Sequence, residues 1–188
     1  PDKVVASFFA VGDWGYDAEL HAFHCTSARQ RCVLRPGCQL ALAAAMRAEA
    51  RRRGNLAFVL NVGDSFYPGG VHGPTDPQWS EKWGDIYQGM PPVPWYSVYG
   101  NHDLEAADWR CSCLNEPALC HQVKRHGARH GNASWYMPSV SYYAKPIAGV
   151  PLEVVALDLN AADASKICPW VAQAQRCPAH QCGRVLAS

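Results

Sequence analysis

The sequence lacks an excess of charge of either sign, and it lacks a long apolar run. Its 188 residues include 17 basic and 16 acidic side chains, for a formal net charge of +1. Nucleic acids and anionic membrane surfaces attract proteins with clustered excess positive charge, so this balance argues against both kinds of partner. No apolar stretch approaches the roughly 20 residues that a membrane-spanning helix needs. We therefore expect no nucleic-acid partner and no membrane span.

Internal repeats, an interdomain linker and a disorder-prone composition are also missing. The hydrophobic fraction of 48% is ordinary for a globular domain. A chain of 188 residues is long enough for one domain, or a large piece of one, and too short for two ordinary domains. The sequence thus predicts a single folded unit.

CxxC pairs are absent although the chain has nine cysteines, so a zinc ribbon or a thioredoxin-like redox site is a weak interpretation. Three groups of cysteines in loop-like sequence are typical of disulfides in an oxidising compartment. Asn132 begins an acceptor pattern for N-glycosylation. Both features indicate a secreted or extracellular protein, or one of a lysosome- or vacuole-like compartment. The odd count predicts a free cysteine or a partner outside this chain. The cysteines are Cys25, Cys32, Cys38, Cys111, Cys113, Cys120, Cys168, Cys177 and Cys182.

What the sequence does contain is an alternation of apolar strands and helices. Apolar runs over residues 3–11, 56–62 and 94–99 are typical of buried strands. Helices are predicted over residues 39–53, with Gly54 just past the end, and over residues 76–88. Strands separated by helices predict an α/β fold with a parallel sheet. Further along, residues 141–145 and 152–157 predict a hairpin or a meander.

Each of the three predicted strands is followed by a polar side chain: Asp13, Asp64 and Asn101. In open α/β sheets ligands bind outside the carboxyl ends of the strands, so we expect these residues to converge in one crevice. Tyr67 lies three residues after Asp64 and could reach the same ion. Carboxylate, amide and phenol oxygens suit hard or borderline cations, including ferric iron.

The same crevice predicts a chemistry. A carboxylate can bridge two ions, and two metal ions roughly 3.5–4 Å apart stabilise the attacking and leaving oxygens of phosphoryl transfer. His102 directly follows Asn101 and would face the site as a proton donor or anion stabiliser. Taken singly, each of these short patterns is more often an ordinary turn. Three of them in chain order, each at a strand end, favour a functional site.

Three motifs carry a family resemblance: GDWG from residue 12, GDSFY from residue 63 and GNHD from residue 100. They resemble the first three motifs of the calcineurin-like metallophosphoesterases. Tyr67 narrows the resemblance to the purple acid phosphatases, and the runs VPWY, YPGGV and SYY are similar to their small, tartrate-resistant branch. The resemblance spans about residues 4–160, apart from cysteine-bearing insertions near 16–37 and 104–134. It implies a four-layer α/β/β/α sandwich, of which residues 1–188 would form the incomplete N-terminal part.

The resemblance also implies a dinuclear metal site and the hydrolysis of phosphate monoesters at acidic pH. Asp13 and Tyr67 would bind ferric iron, and Asp64 would bridge it to a second divalent ion, Fe²⁺, Zn²⁺ or Mn²⁺. Asn101 would bind that second ion through its side-chain oxygen. His102 would contact the phosphate and assist the leaving group.

The sequence departs from the family in its ligand set. The resemblance implies three further histidine ligands, one in a Gly-His after a strand and two in a Gly-His-x-His, and the chain contains neither motif. Ser65 replaces the Asn usual in the small branch at a position that is not a ligand, so we expect a small effect.

Three hypotheses follow from this departure. In the first, the chain is the N-terminal part of an active secreted acid phosphatase, completed by a missing C-terminal half or by a neighbouring chain. In the second, it is a catalytically inactive, phosphatase-like structural or binding module of an extracellular assembly. A third, in which the parent enzyme is a phosphodiesterase or nuclease of the same superfamily, is disfavoured by Tyr67 and the near-neutral charge.

Overall fold

A five-stranded sheet organises the computed structural model, which describes residues 4–16, 38–67, 69–103, 120–130 and 133–160. Its spatial order is β1-β2-β3-β5-β4. The neighbours β1, β2, β3 and β5 pair in parallel, and the short β4 pairs antiparallel with β5. The structure confirms the predicted α/β class with a largely parallel sheet. The strands are β1 (Ser7–Val11), β2 (Leu56–Asn61), β3 (Pro94–Ser97), β4 (Arg129–His130) and β5 (Ala133–Tyr136).

A second sheet consists of β6 (Tyr142–Ala144) and β7 (Val154–Ala156), which pair antiparallel, in agreement with the predicted hairpin or meander. It packs on one face of the main sheet, where Phe58, Tyr96 and Ala144 form a small core. Successive strand residues point to opposite faces, so the adjacent residues Val59 of β2 and Trp95 of β3 enter a larger core on the other side. Side chains thus pack on both faces of the main sheet, as in an α/β sandwich, while Phe8 of β1, which stacks on Phe58, stays 50% exposed.

Helix α1 (Cys38–Arg53) covers the face with the larger core. Ala43, Met46 and Ala50 are buried there at helical spacing. Gly54 follows the helix with a left-handed φ of 68°, and its N–H donates to the Ala50 carbonyl over 2.9 Å. This is the helix end that the sequence predicts, because glycine adopts positive φ without a Cβ penalty.

The sequence predicts an α-helix over residues 76–88, but the helical segment there is shorter and is a π-helix. This π-helical segment is Trp79–Gly84, and the Asp85 N–H donates to the Ser80 carbonyl five residues back. Gly84 lies against the ring of His130, where a Cβ would collide. The glycine that permits this contact also weakens a regular α-helix, so tertiary packing overrides the helical pattern here.

Three elements between β3 and β6 have no counterpart in the sequence-based prediction: α2 (His121–Lys124), β4 and β5. β5 adds the fourth parallel strand, with Trp135 opposite Trp95. These strands are two and four residues long, too short for a periodic apolar signal. Part of the insertion predicted near 104–134 thus contains sheet structure.

Several predictions fall outside the residues that the structure describes. These are the insertion near 16–37 from residue 17 onward, Asn132, and every cysteine except Cys38 and Cys120. Of Cys38 only the backbone is described. Cys120 is buried at the start of α2 and is disulfide-bonded. Among the helices that the structure describes, none combines the length and apolar character needed to cross a bilayer.

Candidate metal centre

The loops after β1, β2 and β3 meet at one edge of the main sheet and form a cleft of about 320 Å³. Asp13, Asp64 and Asn101 all line this cleft. The carboxyl ends of parallel strands lie at the same edge, so the topology brings together three residues that are far apart in the sequence. The structure therefore places the three predicted strand-end residues in one cleft.

Backbone geometry turns the two carboxylates into the cleft. Asp13 and Asp64 have φ values of 55° and 52°, and they are the two non-glycine residues with positive φ in the part of the chain described. Non-glycine residues in this region cost free energy and occur preferentially at functional sites. The Asp13 N–H donates to the Gly63 carbonyl over 3.1 Å, which joins the first two loops at this point.

Two glycines allow the second and third loops to cross in close contact. A Cβ on Gly63 would lie 2.5 Å from the Gly100 nitrogen. A Cβ on Gly100 would overlap the backbone nitrogen and the carboxylate of Asp64. The GDSFY and GNHD motifs thus begin with glycine because no side chain fits between the two loops.

Tyr67 connects the two carboxylates. Its hydroxyl is 2.8 Å from Asp13 Oδ1 and 3.1 Å from Asp64 Oδ2, and its side chain is 5% exposed. Burial, together with the two neighbouring carboxylates, raises the pKa of the Tyr67 phenol above its usual value. The phenol proton is therefore held between two carboxylate oxygens.

His102 lies beside this group. Its backbone N–H donates to Asp64 Oδ1 over 2.9 Å, and its ring packs on the Tyr67 ring with centroids 4.5 Å apart. Tyr67 also receives the ring of Tyr16 edge-on at 5.2 Å. The side chain predicted to act on the phosphate is thus partly buried against the phenol predicted to bind metal.

Asp103 is a residue of the site that sequence reasoning missed. It is fully buried, and its Oδ1 accepts the N–H groups of Ser65 and Phe66 while its Oδ2 accepts that of Gly100, each over 2.9 Å. Burial raises the pKa of this carboxyl to about 6 despite those hydrogen bonds, which favour the ionised form. Asp103 ties the second loop to the third, and its place as the last residue of GNHD was the available signal.

Asn61, at the end of β2, is a second residue near the site that the sequence did not predict. Its side-chain oxygen accepts the indole N–H of Trp14 over 2.8 Å, and its amide group donates to the hydroxyls of Ser65 at 2.8 Å and Ser97 at 3.1 Å. This buried network joins the first loop, the second loop and β3. Ser65 is therefore a structural partner of Asn61 rather than a cleft residue.

The oxygen donors of the cleft fit a hard cation. The Tyr67 hydroxyl and one oxygen each of Asp13 and Asp64 already converge within hydrogen-bond distance, so a cation that replaced the phenol proton would meet three oxygens. Over the described ranges, no group of three or more His, Cys, Asp and Glu side chains surrounds a common point. The described donor set is therefore two carboxylates, a phenol and the Asn101 amide.

Comparison with known protein families decides the relationship. The calcineurin-like phosphoesterase model matches residues 6–155. The chain belongs to this family. The match includes all four oxygen donors and His102. It also agrees with the predicted family and with the α/β sandwich of the structure.

Several proteins similar to this calcineurin-like phosphoesterase chain are named acid phosphatases. It is 30% identical over 121 residues to purple acid phosphatase 7 of Arabidopsis thaliana, which covers 57% of this chain and 31% of that protein. It is 34% identical over 101 residues to tartrate-resistant acid phosphatase type 5 of Sus scrofa, which covers 53% of this chain and 26% of that protein. The Mus musculus protein of the same name is 33% identical over 98 residues. The chain thus spans about a third or less of the relatives that it matches.

Proposed function

We propose that this chain contributes to a dinuclear metal centre that hydrolyses phosphate monoesters at acidic pH. The observation that carries the proposal is the convergence of the Tyr67 hydroxyl on Asp13 and Asp64 at the carboxyl edge of a parallel sheet. A phenol between two carboxylates is an unusual arrangement for a simple turn, and it supplies three hard ligands at one point. The named relatives support phosphatase rather than general phosphoesterase chemistry.

Each side chain has a role in this proposal. Asp13 and Tyr67 would hold ferric iron, Asp64 would serve both ions, and Asn101 would hold a second divalent ion, Fe²⁺, Zn²⁺ or Mn²⁺. When bound, the metal pair would supply Lewis-acid stabilisation of charge on the phosphoryl group.

His102 orients the ester and provides a proton. Its imidazole packs against the Tyr67 ring, and its backbone is fixed by Asp64, so the side chain has a defined direction at the edge of the site. From there an imidazolium N–H would donate to the phosphate and then to the departing alcohol oxygen.

The chain needs a further part to complete the site. Four oxygen donors are too few for two ions, and the sequence has neither of the histidine motifs that the resemblance implies. We propose that a C-terminal half of the domain, or a neighbouring chain, supplies the missing ligands. We further propose a secreted or lysosome- or vacuole-like location, with most cysteines paired and Asn132 glycosylated.

A second candidate function is supported by the same missing ligands. A phosphatase-like module that has lost its histidines would keep the fold and serve as an inactive structural or binding part of an extracellular assembly. The two candidates differ in whether the protein, in its full natural length, binds metal in stoichiometric amount.

The test is metal analysis and kinetics on the protein in its full natural length. We expect two metal ions per protein, a visible absorption band from ferric phenolate, and hydrolysis of p-nitrophenyl phosphate far above that of bis-p-nitrophenyl phosphate. Tyr67→Phe should abolish the band, whereas the matched variant Tyr143→Phe, at an exposed tyrosine of β6, should not. Colourless, metal-free and inactive protein would instead support the inactive module.

A further inference from the structure

Lys82 lies in the π-helical segment, outside the candidate ligand set. Its ammonium group donates to the Tyr67 carbonyl over 2.9 Å and to the Gly15 carbonyl over 3.3 Å. The side chain is half-buried, so its stem packs within the protein while its charged end reaches both carbonyls. The resemblance to known phosphatases assigns this residue no role.

The two carbonyls belong to the two loops that carry the candidate ferric ligands. Gly15 lies two residues after Asp13 in the first loop, and the second carbonyl is that of Tyr67 itself. A single ammonium therefore bridges these loops on the backbone side, while the Tyr67 hydroxyl and the Asp13 carboxylate meet on the cleft side. The first loop is thus held at Asp13 and Gly15, and the second loop at the carbonyl and the hydroxyl of Tyr67.

The segment that carries Lys82 is itself fixed to the helical layer. The side-chain amide of Gln39 in α1 donates to the Lys82 carbonyl over 2.6 Å. Trp79 and Trp83 of the same segment are buried in the larger core. Lys82 thus projects from a rigid support towards the two loops, which is what a positioning group requires.

We propose that Lys82 is a positioning residue of the metal centre, which fastens the loops of Asp13 and Tyr67 so that their ligand oxygens converge. The inference deepens the proposed function and rests on it. A lysine suits this position because its ammonium carries three donors on a flexible stem and can serve two carbonyls at once. Hydrogen bonds from a charged donor are also stronger than neutral ones.

The role differs from that of Asp103. Asp103 joins the second loop to the third through backbone N–H groups, whereas Lys82 joins the first loop to the second through carbonyls. Loss of Lys82 should therefore increase the mobility of the loops that carry Asp13 and Tyr67. The turn at Gly100 should stay unchanged.

Hydrogen exchange on the metal-free protein tests this directly. In Lys82→Met, which keeps the stem and removes the donors, we expect at least fivefold faster exchange in peptides covering residues 13–16 and 64–70. The Tyr16 and Gly70 amides, which bond within their own loops, report on this loosening. Peptides of β3 should not change, and Lys82→Arg should restore most of the protection. Lys145→Met, at a lysine outside the cleft lining, is the matched control.

Metal binding gives the second readout. Ferric affinity of Lys82→Met should fall about tenfold, the scale expected for the loss of a charge-assisted hydrogen bond. Unchanged exchange in both loops, or equal loosening throughout the chain, would overturn the positioning role. If Lys82→Met does not fold, Lys82→Gln replaces it in both measurements.

The two proposals fail differently. Wild-type protein that binds no metal would refute the proposed function, while loop exchange would still decide whether Lys82 fastens the two loops. Wild-type protein that binds metal with the same affinity as Lys82→Met would refute the role of Lys82 alone.

Discussion

Asp103 shows how a single buried side chain sets the geometry of the cleft. Its carboxylate accepts three backbone N–H groups from two loops, so it fixes the distance between the turn of Asp64 and the turn of Asn101. Because the residue is fully buried, no water can replace a lost partner without rearrangement. Its contribution is to position the candidate metal ligands, since it does not line the cleft itself.

We predict that Asp103→Asn destabilises the protein by about 1–3 kcal/mol, the cost of leaving a buried donor unsatisfied. The amide keeps one accepting oxygen but presents N–H groups to a backbone N–H. Urea denaturation of the metal-free protein measures the effect. Glu81→Gln is the matched control, because Glu81 is exposed and a surface change should stay within about 0.5 kcal/mol. Equal effects of the two variants would contradict the role assigned to Asp103.

At the scale of the elements, the crossing of the second and third loops determines whether the cleft exists. The loops touch at Gly63 and Gly100, where the backbones are too close for a side chain. The sequence signals the glycines, but it does not show what lies against them.

Gly100→Ala should therefore be severe. The new methyl group would overlap Asp64, so either the carboxylate or the loop must move, and overpacking of this kind costs about 1–3 kcal/mol or more. We expect a lower thermal midpoint and loss of ferric binding. Gly73→Ala is the matched control because a Cβ there has nothing within 4 Å. A Gly100→Ala protein with normal metal affinity would show that the loops can separate without consequence.

The C-terminal end of α1 provides a pH-dependent prediction. Hydrogen bonds from Arg52 and then from Arg53 lower the pKa of Glu49 from 4.5 to about 2. A depressed pKa in the folded state means that the stabilisation is present above the ordinary pKa and is lost as the pH falls towards 2. Glu49→Gln should lower the thermal midpoint slightly at pH 7, and the difference should shrink between pH 4.5 and pH 2.

High salt should reduce the same difference at pH 7, because the pair is exposed to solvent and surface charges are screened. Glu81→Gln, at an exposed glutamate of the π-helical segment, is the matched control, and its thermal midpoint should change little with salt. A difference between Glu49→Gln and wild type that grew on acidification would contradict the assigned direction.

At the scale of the whole molecule, apolar side chains flank the cleft. Val62, Leu157 and Leu159 line it and are 60%, 59% and 68% exposed. Exposed apolar surface next to a cluster of polar side chains is typical of an interface or a binding groove. It is consistent with the proposal that a further part of the protein, or a neighbouring chain, completes the site.

We therefore predict that the 188-residue chain, expressed alone, retains ferric binding through Asp13, Asp64 and Tyr67 but not phosphatase activity. Loss of an outer-shell partner alone typically costs 10–100-fold in activity, so loss of direct ligands should exceed about 100-fold. Parallel assays of this chain and of the protein in its full natural length, at equal metal concentration, measure the ratio. Equal activities would show that the 188 residues contain every essential ligand.

The sequence could predict those parts of the fold that depend on local pattern. The apolar runs of β1, β2 and β3, the helix α1 with Gly54, and the hairpin of β6 and β7 follow from periodicity and turn residues over a few positions. β4 and β5 could not be predicted because they are short and depend on pairing with other strands. The π-helix of Trp79–Gly84 could not be predicted because it depends on the His130 ring, which packs against Gly84.

The sequence by itself determined the family, the α/β class and the candidate ligands, because motif spacing and strand ends are properties of the chain read in order. Only the tertiary structure showed how the candidates contact one another. The Tyr67 hydroxyl lies between two carboxylates, Asp103 accepts backbone N–H groups of the loops, and Lys82 donates to their carbonyls. These contacts join residues up to 67 positions apart. They form because parallel pairing places three loops at one edge, and no local pattern in the sequence encodes that arrangement.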